Sequence, residues 1–323
     1  MARILTGIQS TGTPHLGNLL GAIRPAIGLA HAPENESFLF IADLHSLTQI
    51  KDGGELRENT RSVAAAWLAM GLDPERTVFY RQSDIPEVTE LSWYLSCFYP
   101  YQRLTLAHSF KDKSERLQDV NAGLFTYPML MAADILLYDA EFVPVGKDQL
   151  QHLEMTRDVA GRFNHQMGET FVLPQELTQP ETMYVPGLDG GKMSKSKSNT
   201  LNVFDDPTEL KRRINRDIVT DATPLEDPKD PEGSVVWQLY GVVAGAAAAA
   251  AMAEKLRAGG YGWGHAKKEL LESLVDGFAA ERAEYARWMG DPGALEATLA
   301  AGAARARAVA GPVLARVRSR LGY

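Results

Sequence analysis

What most constrains this chain is an alternation, between Arg3 and Ser83, of short apolar runs with longer stretches of helical spacing. "RILTGI" (Arg3–Ile8), "SFLFIAD" (Ser37–Asp43) and "TVFYRQS" (Thr77–Ser83) are compact and rich in β-branched and aromatic residues, as buried strands are. Between them, a segment from Leu16 to about Ala30 and "GELRENTRSVAAAWLAMGL" (Gly54–Leu72) read as helices, the second stopped by Asp73-Pro74. Parallel strands need such crossovers, so the pattern predicts an α/β fold: a parallel sheet covered by helices. In sheets of this kind ligands bind at the carboxyl ends of the strands, which points to the turn after the first strand.

The pattern continues with a helix over "GLFTYPMLMAADILLYD" (Gly123–Asp139), a short strand "EFVPVG" (Glu141–Gly146) and a helix over "KDQLQHLEMTRDVAGRF" (Lys147–Phe163). Its character changes near Phe204. Asp206-Pro207 reads as an N-cap followed by proline at the first helical position, and an alanine-rich helical region runs from there onward. Two domains are expected, a sheet-bearing one over 1–204 and an all-helical one over 205–323.

Composition narrows the classes of function. A net charge of −8 argues against general coating of nucleic acid, DNA included, which needs broad positive surface. The lone cysteine, Cys97, permits no intrachain disulfide and suits a reducing compartment. The first residues lack the apolar core of a signal peptide, and no apolar run is long enough to span a bilayer, so a cytoplasmic protein with no membrane partner is expected. No His/Cys/Asp cluster has metal-ligand spacing, so no protein-held metal is expected.

Two short stretches carry chemistry. "GIQSTGTPHLGNLLGA" (Gly7–Ala22) sets small and polar residues between a strand and a helix whose N-terminus would face the crevice. It matches neither common nucleotide-binding glycine spacing, so a plain turn with an N-cap remains open beside a phosphate site. "GGKMSKSKSN" (Gly190–Asn199) holds three lysines and three serines in an acidic chain. It reads either as a solvated loop or as a clamp offering ammonium groups, hydroxyls and N–H donors to a polyanion.

"HLGN" (His15–Asn18) and "KMSKS" (Lys192–Ser196), in this order and on this strand pattern, resemble the two signatures of class I aminoacyl-tRNA synthetases. The segment "AGLFTYPMLMAADILLYDAEFVPVGKDQLQHLEMTRDVAGRFN" and the opening "GIQSTG" resemble the tryptophan-specific branch of that class nearly end to end, most strongly through Gly168. The resemblance implies a Rossmann-like catalytic domain and two reactions in one site. L-tryptophan would be activated with ATP and Mg2+ to tryptophanyl-adenylate, and the aminoacyl group then passed to tRNA(Trp). It also implies a homodimer.

By the same resemblance, Gln9, Ser10, Thr11, Gly17 and Asn18 would line the ATP site, with His15 near the phosphates. Gly146, Lys147 and Asp148 would meet ribose and adenine, and the Val185 backbone the adenine. Lys192, Met193, Ser194, Lys195 and Ser196 would form the phosphate clamp, with Lys192, Lys195 and Lys113 of "FKDKS" (Phe110–Ser114) binding the leaving pyrophosphate. Asp134, an acid amid apolar neighbours in "MAADIL", would accept the indole N–H; the alternative is a carboxylate paired with a basic residue elsewhere. Leu5, Met131, Val143 and Val145 would enclose the ring, Tyr127 and Gln149 would hold the ammonium group, and His45 would border the pocket.

Departures from the branch's usual pattern are Leu5 in place of an aromatic, Lys147 and Lys197 where acids are common, and Asn18 where histidine often closes the first signature. The tyrosine-specific relative and a partner-binding paralogue are the competing readings. In the helical region, Arg305, Arg307, Arg316, Arg318 and Arg320 have no acidic neighbour after Glu296. Gly311-Pro312 is expected to interrupt their helix, which could be a solvated end or an RNA-reading face.

Overall fold

The computed structural model describes residues 1–107, 120–146, 149–178 and 184–323. Five parallel strands form one sheet: β1 (Ala2–Ile8), β2 (Asn35–Ile41), β3 (Val78–Arg81), β4 (Phe142–Val145) and β5 (Gln175–Thr178), in the order β3-β2-β1-β4-β5. The register pairs Leu5 with Phe38 and Phe38 with Val78, while Ile4 pairs Phe142 on the other side. The order reverses between β1 and β4, which leaves a crevice at their carboxyl ends.

Helical residues occupy 16–30, with a π-helical turn at Leu19–Ile23. The crossovers are α1 (Gly53–Ala69), α2 (Pro86–Phe98), α3 (Ala122–Leu136) and α4 (Leu150–Met167). Side chains satisfy the first orphan N–H groups where the sequence supplies a cap: Asp52 accepts from Glu55 N–H, and Asn121 from Leu124 N–H. Beyond Phe204 the chain is helical, with α5 (Pro207–Asp217, capped by Asp206), α6 (Val235–Ala244), α7 (Ala246–Ala258), α8 (Trp263–Gly277), α9 (Ala279–Gly290) and α10 (Pro292–Leu321).

Segments 1–204 and 205–323 differ in secondary structure but share both apolar cores. One core joins Leu19, Ile23, Val63 and Trp67 to Leu210, Leu270 and Leu295; the other joins Leu5, Phe38 and Tyr80 to Ala306, Ala310 and Val317. The link is α10, which lies against β3. It runs through Gly311-Pro312 without the expected break. Proline costs the helix one N–H donor, but Ala306, Ala310, Val313, Leu314 and Val317 bury one face on both sides of it, and that burial holds the helix together.

The arginines of α10, which have no acidic neighbour in sequence, find partners across the fold. Arg305 donates to the carbonyls of Pro74 (2.7 Å) and Thr77 (3.2 Å), and Arg320 to that of Glu169 (3.2 Å). Arg307 pairs with Glu87 (2.8 Å), Arg316 with Asp139 (2.5 Å) and Arg318 with Glu90 (2.5 Å). Their acidic partners are distant in sequence and lie beside the sheet. Each such pair adds little stability alone, but together they fix the helix's rotation and position.

Close approach is what Gly302 allows. A Cβ there would stand 1.7 Å from the Phe79 carbonyl oxygen. Gly302→Ala is expected to lower unfolding free energy by about 2 kcal/mol or more, measured by urea titration. A loss under about 0.5 kcal/mol would mean that α10 can stand off β3 without cost.

Candidate active site at the carboxyl ends of the strands

The turn from Gln9 to His15 leaves the end of β1 and enters the helical run at Leu16. Ser10 is buried, and both its N–H and its hydroxyl donate to Ser46 Oγ (3.0 and 3.1 Å). His15 and Asn18 cap each other: Asn18 N–H donates to His15 Nδ1, and His15 N–H to Asn18 Oδ1, each at 3.2 Å. The side chains of His15 and Asn18 thus shape the helix entry, while Leu16 is buried in the core. Burial, and then the nearby Lys195 charge, lower the His15 pKa to about 4. His15 is therefore neutral at pH 7, and with Nδ1 accepting, its proton sits on Nε2 as a donor.

The lysine loop is ordered against this turn. Met193 is buried, its N–H donating to the Val185 carbonyl. Asn199 is the loop's brace: Oδ1 accepts from Ser194 N–H (2.7 Å), and Nδ2 donates to Lys192 O (3.1 Å) and Asp189 Oδ1 (2.6 Å). A Cβ at Gly17 would approach His15 Cε1 at 3.1 Å and Met193 Cβ at 3.5 Å, so glycine here lets the two signature segments touch. Lys195 Nζ donates to the carbonyls of Gly12 (2.7 Å) and Thr11 (3.1 Å). The residue is exposed overall, yet desolvation of its ammonium beside the turn lowers its pKa to about 8. Ser194 and Ser196 hydroxyls pair at 2.9 Å. Lys192 and Lys197 are exposed on the same loop.

On the other side of β1, Asp134 is 2% exposed on α3 and is already partnered. Gln82 Nε2 donates to both its oxygens (2.7 and 2.8 Å), and His45 Nε2 lies 2.9 Å from Oδ2. The alternative of pairing with a basic residue elsewhere is met in part by His45, alongside the neutral amide of Gln82. Burial raises the Asp134 pKa, while the His45 and Gln82 hydrogen bonds oppose that rise. Gln82 is fully buried, and its Oε1 accepts from Leu44 N–H (3.1 Å), which fixes the amide's orientation. Sequence reasoning missed Gln82. The available signal was its place at the carboxyl end of β3.

Leu5 and Val143 are buried on neighbouring β1 and β4, with Met131 and Val145 half-buried against the same core. Tyr127 lies two helical turns before Asp134, its hydroxyl bonded to His152 Nε2, and burial raises its pKa. Gly146 and Gln149 are exposed at the end of β4, where Gln149 N–H donates to Gly146 O (2.9 Å). The Val185 carbonyl is engaged by Met193; Gln9 is half-buried at the end of β1. Lys113, Lys147 and Asp148 lie outside the described residues.

The family model for tRNA synthetases class I (W and Y) matches residues 1–278. A tryptophan–tRNA ligase of Rhodopirellula baltica is 50% identical over 320 residues, covering 99% of both chains. One from Xylella fastidiosa is 49% identical over 330 residues, covering 99% of this chain and 76% of the relative. Among solved structures, the tryptophanyl-tRNA synthetase of Campylobacter jejuni complexed with ADP and tryptophan superposes with a TM-score of 0.95 at 41% identity, covering 99% of this chain and 100% of that one.

Proposed function

The chain belongs to the class I tRNA synthetases of the tryptophan and tyrosine type, and from that membership we infer its reaction: it activates L-tryptophan with ATP and transfers it to tRNA(Trp). The tyrosine-specific and partner-binding readings find no support among the relatives. The observation that carries the chemistry is Lys195, held on the Thr11 and Gly12 carbonyls at the end of β1, where the two signature segments meet.

In the first step a tryptophan carboxylate oxygen attacks the α-phosphorus of ATP, the bond to the β-phosphate oxygen breaks, and pyrophosphate leaves. The carboxylate is already a nucleophile, so the site's task is to position both partners and stabilise charge on the leaving phosphates. Lys192 and Lys195 supply that charge, with Lys113, and neutral His15 donates through Nε2. Gln9, Ser10, Thr11, Gly17 and Asn18 line the nucleotide, with Met193, Ser194 and Ser196 around its phosphates. Gly146, Lys147, Asp148 and Val185 receive ribose and adenine. Asp134 accepts the indole N–H; Leu5, Met131, Val143 and Val145 enclose the ring, His45 borders the pocket, and Tyr127 and Gln149 hold the ammonium. In the second step a terminal ribose hydroxyl of the tRNA attacks the activated carbonyl, and AMP leaves.

Magnesium would arrive on the triphosphate, held by phosphate oxygens and water. The described residues contain no group of three His, Cys, Asp or Glu side chains able to hold it alone. Excess chelator should therefore stop the reaction without unfolding the protein. Segment 1–204 serves as the catalytic unit and 205–323 as the tRNA-facing unit, a division that tRNA footprinting would test. Among the described residues no helix is long and apolar enough to cross a membrane. A cytoplasmic site of action goes with this reading and can be checked by cell fractionation. A homodimer fits the exposed Trp93 and Tyr101, large apolar side chains left at the surface of one chain. Sedimentation equilibrium giving a monomer at micromolar concentration would remove it.

The deciding assay is amino-acid-dependent ATP–pyrophosphate exchange, with tryptophan compared with tyrosine. Exchange with tryptophan alone is expected; exchange with tyrosine, or with neither, would overturn the reading. The reaction's pH dependence follows from Lys195. Its ammonium is present below pH 8 and lost above, so kcat/KM for ATP should fall as pH rises through about 8. Bound phosphates favour the ammonium, so kcat should hold to higher pH. His15, neutral above pH 4, should contribute no acid limb between pH 5 and 7. An unchanged kcat/KM up to pH 10 would separate Lys195 from the phosphates.

A further inference from the structure

The ATP turn is tethered from two sides. Lys195 holds the carbonyls of Thr11 and Gly12 from the lysine loop. On the opposite side, the next residue in the turn, Thr13, is held by a hydroxyl chain that crosses into the helical region. Ser62 Oγ, buried on α1, donates to Thr13 Oγ1 at 2.8 Å, and the Tyr285 hydroxyl of α9 lies 2.9 Å from the same Ser62 oxygen. Ser62 has one proton and gives it to Thr13, so Tyr285 is the donor in the second bond. Burial raises the Tyr285 pKa, which keeps that proton in place at neutral pH. The ring is fixed independently: it stacks on Phe204, with centroids 4.1 Å apart and planes within 11°. Arg282, one turn earlier on α9, donates to the Val203 carbonyl and anchors the same helix to the strand of chain leaving the lysine loop.

We infer that Ser62 and Tyr285 are positioning residues for ATP: through Thr13 they set the nucleotide turn, so that α9 of the helical region is part of the ATP site's framework. The inference rests on the reading of the turn as the ATP site. Neither residue touches substrate. Each acts by fixing where the backbone between Gln9 and His15 presents itself to the nucleotide. A hydroxyl chain anchored on buried Ser62 restrains the turn, and removing one hydroxyl takes away a link of it.

The test compares wild-type protein with Tyr285→Phe and Ser62→Ala in tryptophan-dependent ATP–pyrophosphate exchange. Tyr285→Phe keeps the ring on Phe204 and removes only the hydroxyl. The expected result is an ATP KM raised about fivefold in Tyr285→Phe and about tenfold in Ser62→Ala, with the tryptophan KM moving by less than about twofold. Amide hydrogen exchange over residues 9–15 should quicken in both variants. An unchanged ATP KM, or an equal rise for both substrates, would overturn the inference. Absence of exchange in wild-type protein would instead overturn the ATP reading; the amide measurement would then still decide whether Tyr285 orders the turn.

Discussion

Replacing Lys195 with alanine is expected to lower tryptophan-dependent ATP–pyrophosphate exchange by about 10²–10³-fold, while tryptophan affinity stays within about twofold. No base is needed, so nearly all the catalytic contribution must come from charge placed beside the leaving phosphates. Lys195 is the lysine of the loop that reaches back to the nucleotide turn, donating to the Gly12 and Thr11 carbonyls. Alanine removes both that charge and the tether. Met193 and Asn199, which brace the loop, are untouched. Asp134, proposed to read the indole, is bonded to His45 and Gln82 and not to Lys195. Exchange kinetics and tryptophan titration calorimetry on one preparation check both halves. Equal losses would assign Lys195 to the architecture of the pocket and not to the phosphates.

Asp134→Asn should reduce kcat/KM for tryptophan by about 10³-fold and leave ATP binding nearly unaltered. The substitution is close to isosteric, so the effect is one of hydrogen-bond accounting. Gln82 Nε2 cannot turn away, because Leu44 N–H holds its Oε1, and His45 Nε2 is the second group on the carboxylate. With an indole bound, three donors converge on this side chain. An asparagine offers one acceptor oxygen and two donors of its own, so with the His45 proton kept on Nε2 a buried donor pair faces each other. In wild-type protein, 1-methyltryptophan, which lacks the indole N–H, should show a comparable loss. If Asp134→Asn keeps tryptophan within tenfold of wild type, the indole nitrogen is read elsewhere.

The parts of this molecule that were legible in the sequence are those set by short-range pattern. β1, β2 and β3 follow from apolar runs, the helix at Gly53–Ala69 from its spacing, and the start of α5 from Asp206-Pro207. The meeting of "HLGN" with "KMSKS" was legible only through family resemblance, since nothing within either segment specifies the other. What stayed hidden is contact between residues far apart in sequence. Gln82 looked like the tail of a strand, and only the fold brings it under Asp134. The arginines of α10 looked unpaired because Glu87, Glu90 and Asp139 lie far back in the chain. Pro312 looked like a break because local rules carry no information about the burial that holds both halves of the helix to the sheet.

The contact of Gly302 with the backbone of Phe79 also bears on how the molecule is made. Translation delivers β3 long before α10, the helix that lies against it. Until then this edge strand of the sheet lacks its covering helix, and the apolar Val78 and Tyr80 lack Ala306, Ala310 and Val317 of their core. A nascent chain in that state is exposed to the pairing errors of open sheet edges, and cellular holdases would find their substrate there. The sheet that carries the chemistry is thus started early in synthesis and completed late, by a helix far from the catalytic residues in sequence.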